Sequence, residues 1–169
     1  EQHAPGYLFP RPVCTKNGSN YYISAGKDYY RLLPFVTGSH TVDVPEQPQQ
    51  AFEAAAQFGK FTRLLEKFDP KKLQITLPDF HNLTLRYEQF RQAIQSGNPE
   101  RIAQSKPWID MALQYHPIVK IFETIQLDPA FRQRVTHHDT KISNVLFDDA
   151  GKGMCVIDLD TVMPGYFIS

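Results

Sequence analysis

Two short apolar runs, Val145-Leu146-Phe147 and Met154-Cys155-Val156-Ile157, flank the turn formers Asp148-Asp149-Ala150-Gly151-Lys152-Gly153. Runs of this kind around an Asp- and Gly-rich turn predict a β-hairpin. That hairpin constrains the chain because of the residues at its base. Asn144 opens the first strand and Asp158 closes the second, so an antiparallel ladder sets them side by side. Asp139 lies just before the hairpin, in the polar segment Thr136-His137-His138-Asp139-Thr140-Lys141-Ile142-Ser143-Asn144. One tight element thus gathers three oxygen-bearing side chains.

An Asp, an Asn and a second Asp in this arrangement suit the transfer of a phosphoryl group from a Mg-nucleotide to a hydroxyl. Asp139 is the candidate general base, a role that typically contributes about 10²–10⁴-fold in rate. Asn144 offers Mg²⁺ a neutral carbonyl oxygen and Asp158 a carboxylate. Lys141 is placed to offset charge on the transferred phosphate. His137 is read as structural support for the loop. Other readings are weaker. Adjacent histidines on a strand point to opposite faces, so His137 and His138 make a poor pair of metal ligands. Gly151-Lys152-Gly153 begins like a dinucleotide loop, but it lacks a third glycine and opens a strand. Neither Ser39 nor Ser143 lies in a nucleophile elbow.

The rest of the chain can house such a site. Lys and Arg together number 18, as do Asp and Glu, so nothing points to a polyanionic partner and nucleic acid is set aside. No apolar run approaches the ~18 residues of a membrane span, and the first residues do not read as a signal peptide. Cytoplasm is the expected compartment. Cys155, inside an apolar run, reads as a buried free thiol.

Tyr21–Ser24 and Tyr29–Leu33 read as strands, and with Val13–Thr15 they predict a small antiparallel meander that Pro34 ends. Helical spacing then appears over Gln47–Asp69 (Phe52, Ala55, Phe58, Leu65 and Phe68), over Phe80–Ser96 (Leu83, Tyr87, Phe90 and Ile94) and over Pro107–Leu127 (Ile109, Leu113, Val119, Ile121 and Phe122). Pro117 is expected to kink or break the last of these.

The stretches THHDTKISN and CVIDLDTVMPG resemble the aminoglycoside phosphotransferase and choline kinase superfamily, with the nearest likeness to N-acetylhexosamine 1-kinases. The resemblance implies an α+β, protein-kinase-like fold: an antiparallel small-lobe sheet, then a mainly helical large lobe carrying a catalytic hairpin. It implies ATP as co-substrate and Mg²⁺ as cofactor, with Asp139 as base and Asn144 and Asp158 as metal ligands. Asp160 matches the second acid of the family's D-x-D and joins the metal set. Tyr30–Val36 resembles the last small-lobe strand and the hinge, so Pro34, Phe35 and Val36 are expected to meet adenine through backbone groups.

The implied organisation is residues 1–33 for the end of the small lobe, 34–40 for the hinge and 41–169 for the first part of the large lobe. No glycine-rich phosphate loop or phosphate-binding lysine strand precedes Tyr21, so the chain reads as an interior piece, expected to be weak or inactive alone. The expected acceptor is a small molecule, with an amino sugar favoured. Choline, an aminoglycoside and homoserine are alternatives, as is a non-catalytic nucleotide-binding module.

Overall fold

A computed structural model describes residues 7–168; residues 1–6 of the expected small lobe and the final Ser169 lie outside the described residues. In chain order the elements are β1 (Tyr22–Ile23), β2 (Tyr29–Tyr30), α1 (Pro48–Leu64), α2 (Leu83–Ser96), α3 (Pro99–Gln104), α4 (Lys106–Gln114), α5 (His116–Leu127), β3 (Arg134–Thr136), β4 (Val145–Phe147), β5 (Gly153–Val156) and β6 (Met163–Gly165). Single 3-10 turns stand at Pro70–Lys72, Ile142–Asn144 and Leu159–Thr161. The strands form three antiparallel pairs, β1–β2, β3–β6 and β4–β5. The mixed architecture of helices and small antiparallel sheets is the expected α+β class. The chain divides into two compact units: residues up to Phe68 with Asp139–Val162, and Asp69–His138 with the residues from Met163 onward.

The first unit is organised by the predicted hairpin. Val145 pairs with Val156, Leu146 with Cys155 and Phe147 with Gly153, with a register shift between Leu146 and Phe147. Asp148 builds the turn: its carboxylate accepts from the N–H groups of Ala150 (3.0 Å) and Lys152 (2.9 Å), and Gly151 takes the positive φ of 76° that favours glycine. Val145, Phe147, Cys155 and Val156 are buried. Burying a side chain such as Phe147 contributes about 1.5–3 kcal/mol. His40 adds a third backbone segment, exchanging two 2.9 Å hydrogen bonds with Phe147. Cys155 is a free, buried thiol whose pKa burial pushes up to about 11.

Helix α1 packs on β5. Its buried residues are Ala54, Gln57 and Phe61, whereas Phe52 is 64% exposed. The spacing of the largest apolar residues therefore picked the wrong stripe. The true stripe is set by Gly153, whose N–H donates to Glu53 Oε2 at 3.2 Å and whose carbonyl accepts from Gln57 Nε2 at 2.5 Å. Glu53 and Gln57, one turn apart, lie on the same helix face and hold both backbone groups of one residue. The helix also stops at Leu64, short of the expected Asp69. Asp69 instead caps the following 3-10 turn, accepting from Lys71 N–H at 3.1 Å.

The expected meander is reduced to two strands of two residues each; where the third strand was expected, Val13 N–H donates to Leu32 O and Thr15 N–H to Ser19 O, both at 2.8 Å. Tyr22, Ile23, Tyr29 and Tyr30 are all exposed. With no buried face, cross-strand tyrosine contacts and the Ser24–Asp28 turn are what hold the pair.

The second unit is mainly helical. Helix α2 starts at Leu83, three residues later than expected, because Asn82 caps it by accepting from Leu85 N–H at 3.1 Å. Leu83, Tyr87, Phe90 and Ile94 are less exposed than most of the helix, as the spacing predicted. Gly97-Asn98-Pro99 ends α2 but also starts α3, which periodicity missed: Asn98 caps it and Pro99 sits in its first turn. The expected long helix is broken at Tyr115 into α4 and α5, with Pro117 in the first turn of α5. Val119 and Phe122 are buried on α5, whereas Leu113 and Ile121, expected on the same side, are exposed. Strand β3 pairs with β6, Val135 opposite Pro164, a pairing with no hairpin signal because the partners lie far apart in the chain.

Candidate active site

The loop after His138 closes on itself. Ile142–Asn144 forms a 3-10 turn, with Asn144 N–H bonded to Lys141 O at 3.1 Å. The turn brings the Asn144 side chain back to Asp139. Asn144 Nδ2 donates to the main-chain oxygen of Asp139 at 2.9 Å and to its carboxylate Oδ2 at 2.9 Å. Asn144 is only 3% exposed while the Asp139 side chain is 31% exposed, so these bonds are partly buried. Its other polar side-chain atom, Oδ1, is by chemistry an acceptor.

Lys141 Nζ lies 2.8 Å from the same Asp139 Oδ2. Its hydrogen bond to Asp139, together with the charges of Asp139 and Asp158, holds its pKa above the usual lysine value. The ammonium is solvated, so it remains free to exchange partners.

Asp158 follows β5 in a left-handed backbone, φ 58° and ψ 60°, and leads into the Leu159–Thr161 turn. Asp is one of the few residues that tolerate this conformation. Ile157 N–H donates to Asn144 O at 2.9 Å, so the residue before Asp158 is bonded to Asn144 across the hairpin base. Asp160 is exposed, and its Oδ1 pairs with Arg31 Nη2 at 2.5 Å. An exposed pair of this kind is worth about 0–1 kcal/mol. Arg31 carried no sequence signal as its partner, since 129 positions separate them.

The donor set fits Mg²⁺. Asn144 Oδ1 and the Asp158 carboxylate are hard oxygen donors, and Mg²⁺ takes only one or two carboxylates when phosphate oxygens complete its shell. Among the described residues no three His, Cys, Asp or Glu side chains converge, which disfavours the metal-hydrolase reading of His137-His138-Asp139. His137 is buried. His138, to which the sequence assigned no role, is also buried and has a positive φ of 66°.

The expected hinge residues form an irregular segment. Phe35 is 84% exposed, and Val36 O accepts from Ser39 Oγ at 2.7 Å across a turn in which Gly38 takes a φ of 71°.

Residues 2–169 match the model of the phosphotransferase enzyme family. The chain belongs to that family. Its fold is similar to that of a solved structure, the aminoglycoside phosphotransferase from Alicyclobacillus acidocaldarius subsp. acidocaldarius DSM 446, with a TM-score of 0.65 at 17% identity. The similarity covers 95% of this chain and 50% of that one, so the chain spans about half the length of the relative. The phosphotransferase-family chain therefore has the protein-kinase-like fold that its motifs implied.

Proposed function

We propose that the protein carrying this chain transfers the γ-phosphoryl group of ATP to a hydroxyl of a small molecule, with Asp139 as base. The observation that carries this reading is the bonding of Asp139 to both Asn144 and Lys141. Asn144 turns the carboxylate, one oxygen of which accepts the proton of the acceptor hydroxyl. That oxygen orients the hydroxyl for in-line attack on the γ-phosphorus; the O–P bond forms as the bond to the ADP oxygen breaks. Lys141 shifts from Asp139 to the oxygens of the transferred group, where its charge is needed only as the reaction proceeds.

Asn144 and Asp158 would hold Mg²⁺, with Asp160 assisting through the carboxylate that Arg31 now pairs. Bound there, the metal would supply neutralising charge to the phosphates. Backbone groups of Pro34, Phe35 and Val36 are proposed to contact adenine. The lobe reading, 1–33, 34–40 and 41–169, belongs to the same proposal.

The acceptor we favour is an N-acetylhexosamine, attacked through its anomeric hydroxyl; the likeness of THHDTKISN and CVIDLDTVMPG to the hexosamine kinases supports it. The test is a coupled assay of the full-length protein with ATP and Mg²⁺ against N-acetylglucosamine, N-acetylgalactosamine, choline, homoserine and kanamycin. Turnover with the amino sugars alone is expected. Turnover with another acceptor alone would replace the substrate assignment, and nucleotide binding without turnover on any would replace the enzyme by a binding module.

A further inference from the structure

In the second unit, His138 occupies a seat that its own ring does not secure. The residue is 8% exposed, yet neither ring nitrogen has a hydrogen-bond partner. Its φ of 66° is a conformation that a residue with a Cβ avoids unless its surroundings impose it.

Two neighbours, His81 and Gly165, impose it through three contacts. The ring stacks on His81, centroids 5.2 Å apart and planes 21° from parallel. Gly165 leaves the space the ring fills, since a Cβ there would collide with the imidazole. And His81 Nε2 lies 2.8 Å from the carbonyl oxygen of His138. A carbonyl only accepts, so His81 is the donor and carries its proton on Nε2.

His81 is exposed and lies in the turn before α2. The turn before α2 is closed by Asn82 Nδ2 to Asp79 Oδ1 at 2.9 Å, and Arg86 Nη2 donates to Asp79 O at 3.2 Å. The ring also meets Phe80 edge-on at 4.6 Å.

We propose that His81 is a positioning residue for Asp139, acting through the hydrogen bond to the His138 carbonyl; the proposal rests on the phosphotransferase reading above. The carbonyl fixes the plane of the His138–Asp139 peptide. That plane decides the direction in which the next residue leaves a left-handed turn. Displacing a catalytic group by about 1 Å can cost about 10²-fold in rate.

The experiment separates the donor from the stack. His81→Phe keeps an aromatic ring against His138 and removes the donor. His81→Gln keeps a donor at similar reach and removes the ring. In the full-length protein, His81→Phe is expected to lower kcat by about 10–100-fold with KM for ATP unchanged, and His81→Gln to stay within about threefold of wild type. Hydrogen exchange of the amides at 138–140 is read alongside; it should speed up in His81→Phe and not in His81→Gln. Wild-type kcat and exchange in His81→Phe would overturn the proposal, as would equal losses in both variants. If the wild-type protein transfers phosphate to no acceptor, the phosphotransferase reading falls, and the exchange measurement still decides whether His81 holds this peptide.

Discussion

Replacing Asn144 with Ala removes two hydrogen bonds at once, one to the Asp139 carbonyl and one to its carboxylate, both at 2.9 Å. The first is worth about 1 kcal/mol and the second, to a charged group, about 1.5–3 kcal/mol. The lower figure applies because the Asp139 side chain is 31% exposed and water can replace part of what is lost. The sum is about 2.5 kcal/mol, which for a chain of this size lowers Tm by about 5–10 °C. Thermal unfolding followed by far-UV circular dichroism measures it.

Asn144→Asp sharpens the test. It keeps the shape but sets a second carboxylate against Asp139 Oδ2, where Nδ2 now donates. Like charges at that separation repel, so this variant should be less stable than Asn144→Ala at pH 8. The deficit should shrink towards pH 5 as one carboxylate takes a proton. If Asn144→Ala unfolds at the wild-type temperature, or Asn144→Asp shows no pH dependence beyond wild type, Asn144 does not hold Asp139 in solution.

Other consequences can be checked separately. Asp139→Asn in the full-length protein should lower kcat by at least about 10²-fold with ATP affinity near wild type, and steady-state kinetics with nucleotide titration decides it. Gly153→Ala places a Cβ 2.6 Å from Gln57 Cγ, so it should cost about 1–3 kcal/mol in urea unfolding by forcing α1 off β5. Cys14 is exposed and Cys155 is buried with its pKa raised to about 11, so iodoacetamide should label Cys14 first, as read by peptide mass spectrometry. Burial, then the nearby His81, hold the His138 pKa below its usual 6.5. As pH falls through 6.5 the unfolded chain takes a proton that the folded chain refuses, so stability should drop from there until the lower native value is passed. His138→Asn, which tolerates positive φ, should flatten that slope in urea unfolding across pH.

Where local chemistry decided an element, the sequence read correctly. The β4–β5 hairpin follows from two apolar runs and an Asp-Gly turn, and its register follows from the turn. Pro117 broke the long helix because proline removes a donor and crowds the preceding turn. Reading failed where a distant partner chose the face. Phe52 looks like core by size, but Gly153, 96 positions from Gln57, lets Gln57 bury instead. The β3–β6 pair and the Arg31–Asp160 contact are likewise set by long-range pairing, which periodicity does not encode.

The candidate site was legible for a related reason. Asp139 and Asn144 are separated by a spacing that a single 3-10 turn spans, so their meeting needs no distant segment. The same economy brings in Lys141, which caps that turn and reaches back to Asp139. Asp158 is reached through the hairpin ladder, by way of the bond from Ile157 to Asn144. His81 was not legible, because it makes no motif with the loop. It lies 57 positions before His138 and acts on a backbone carbonyl, a group every residue carries. Side chains that perform chemistry are chosen by type and leave motifs, whereas side chains that hold a peptide plane need only a donor at the right place. Positioning residues of the second kind should therefore be sought around backbone strain, and the left-handed His138 is where this chain shows it.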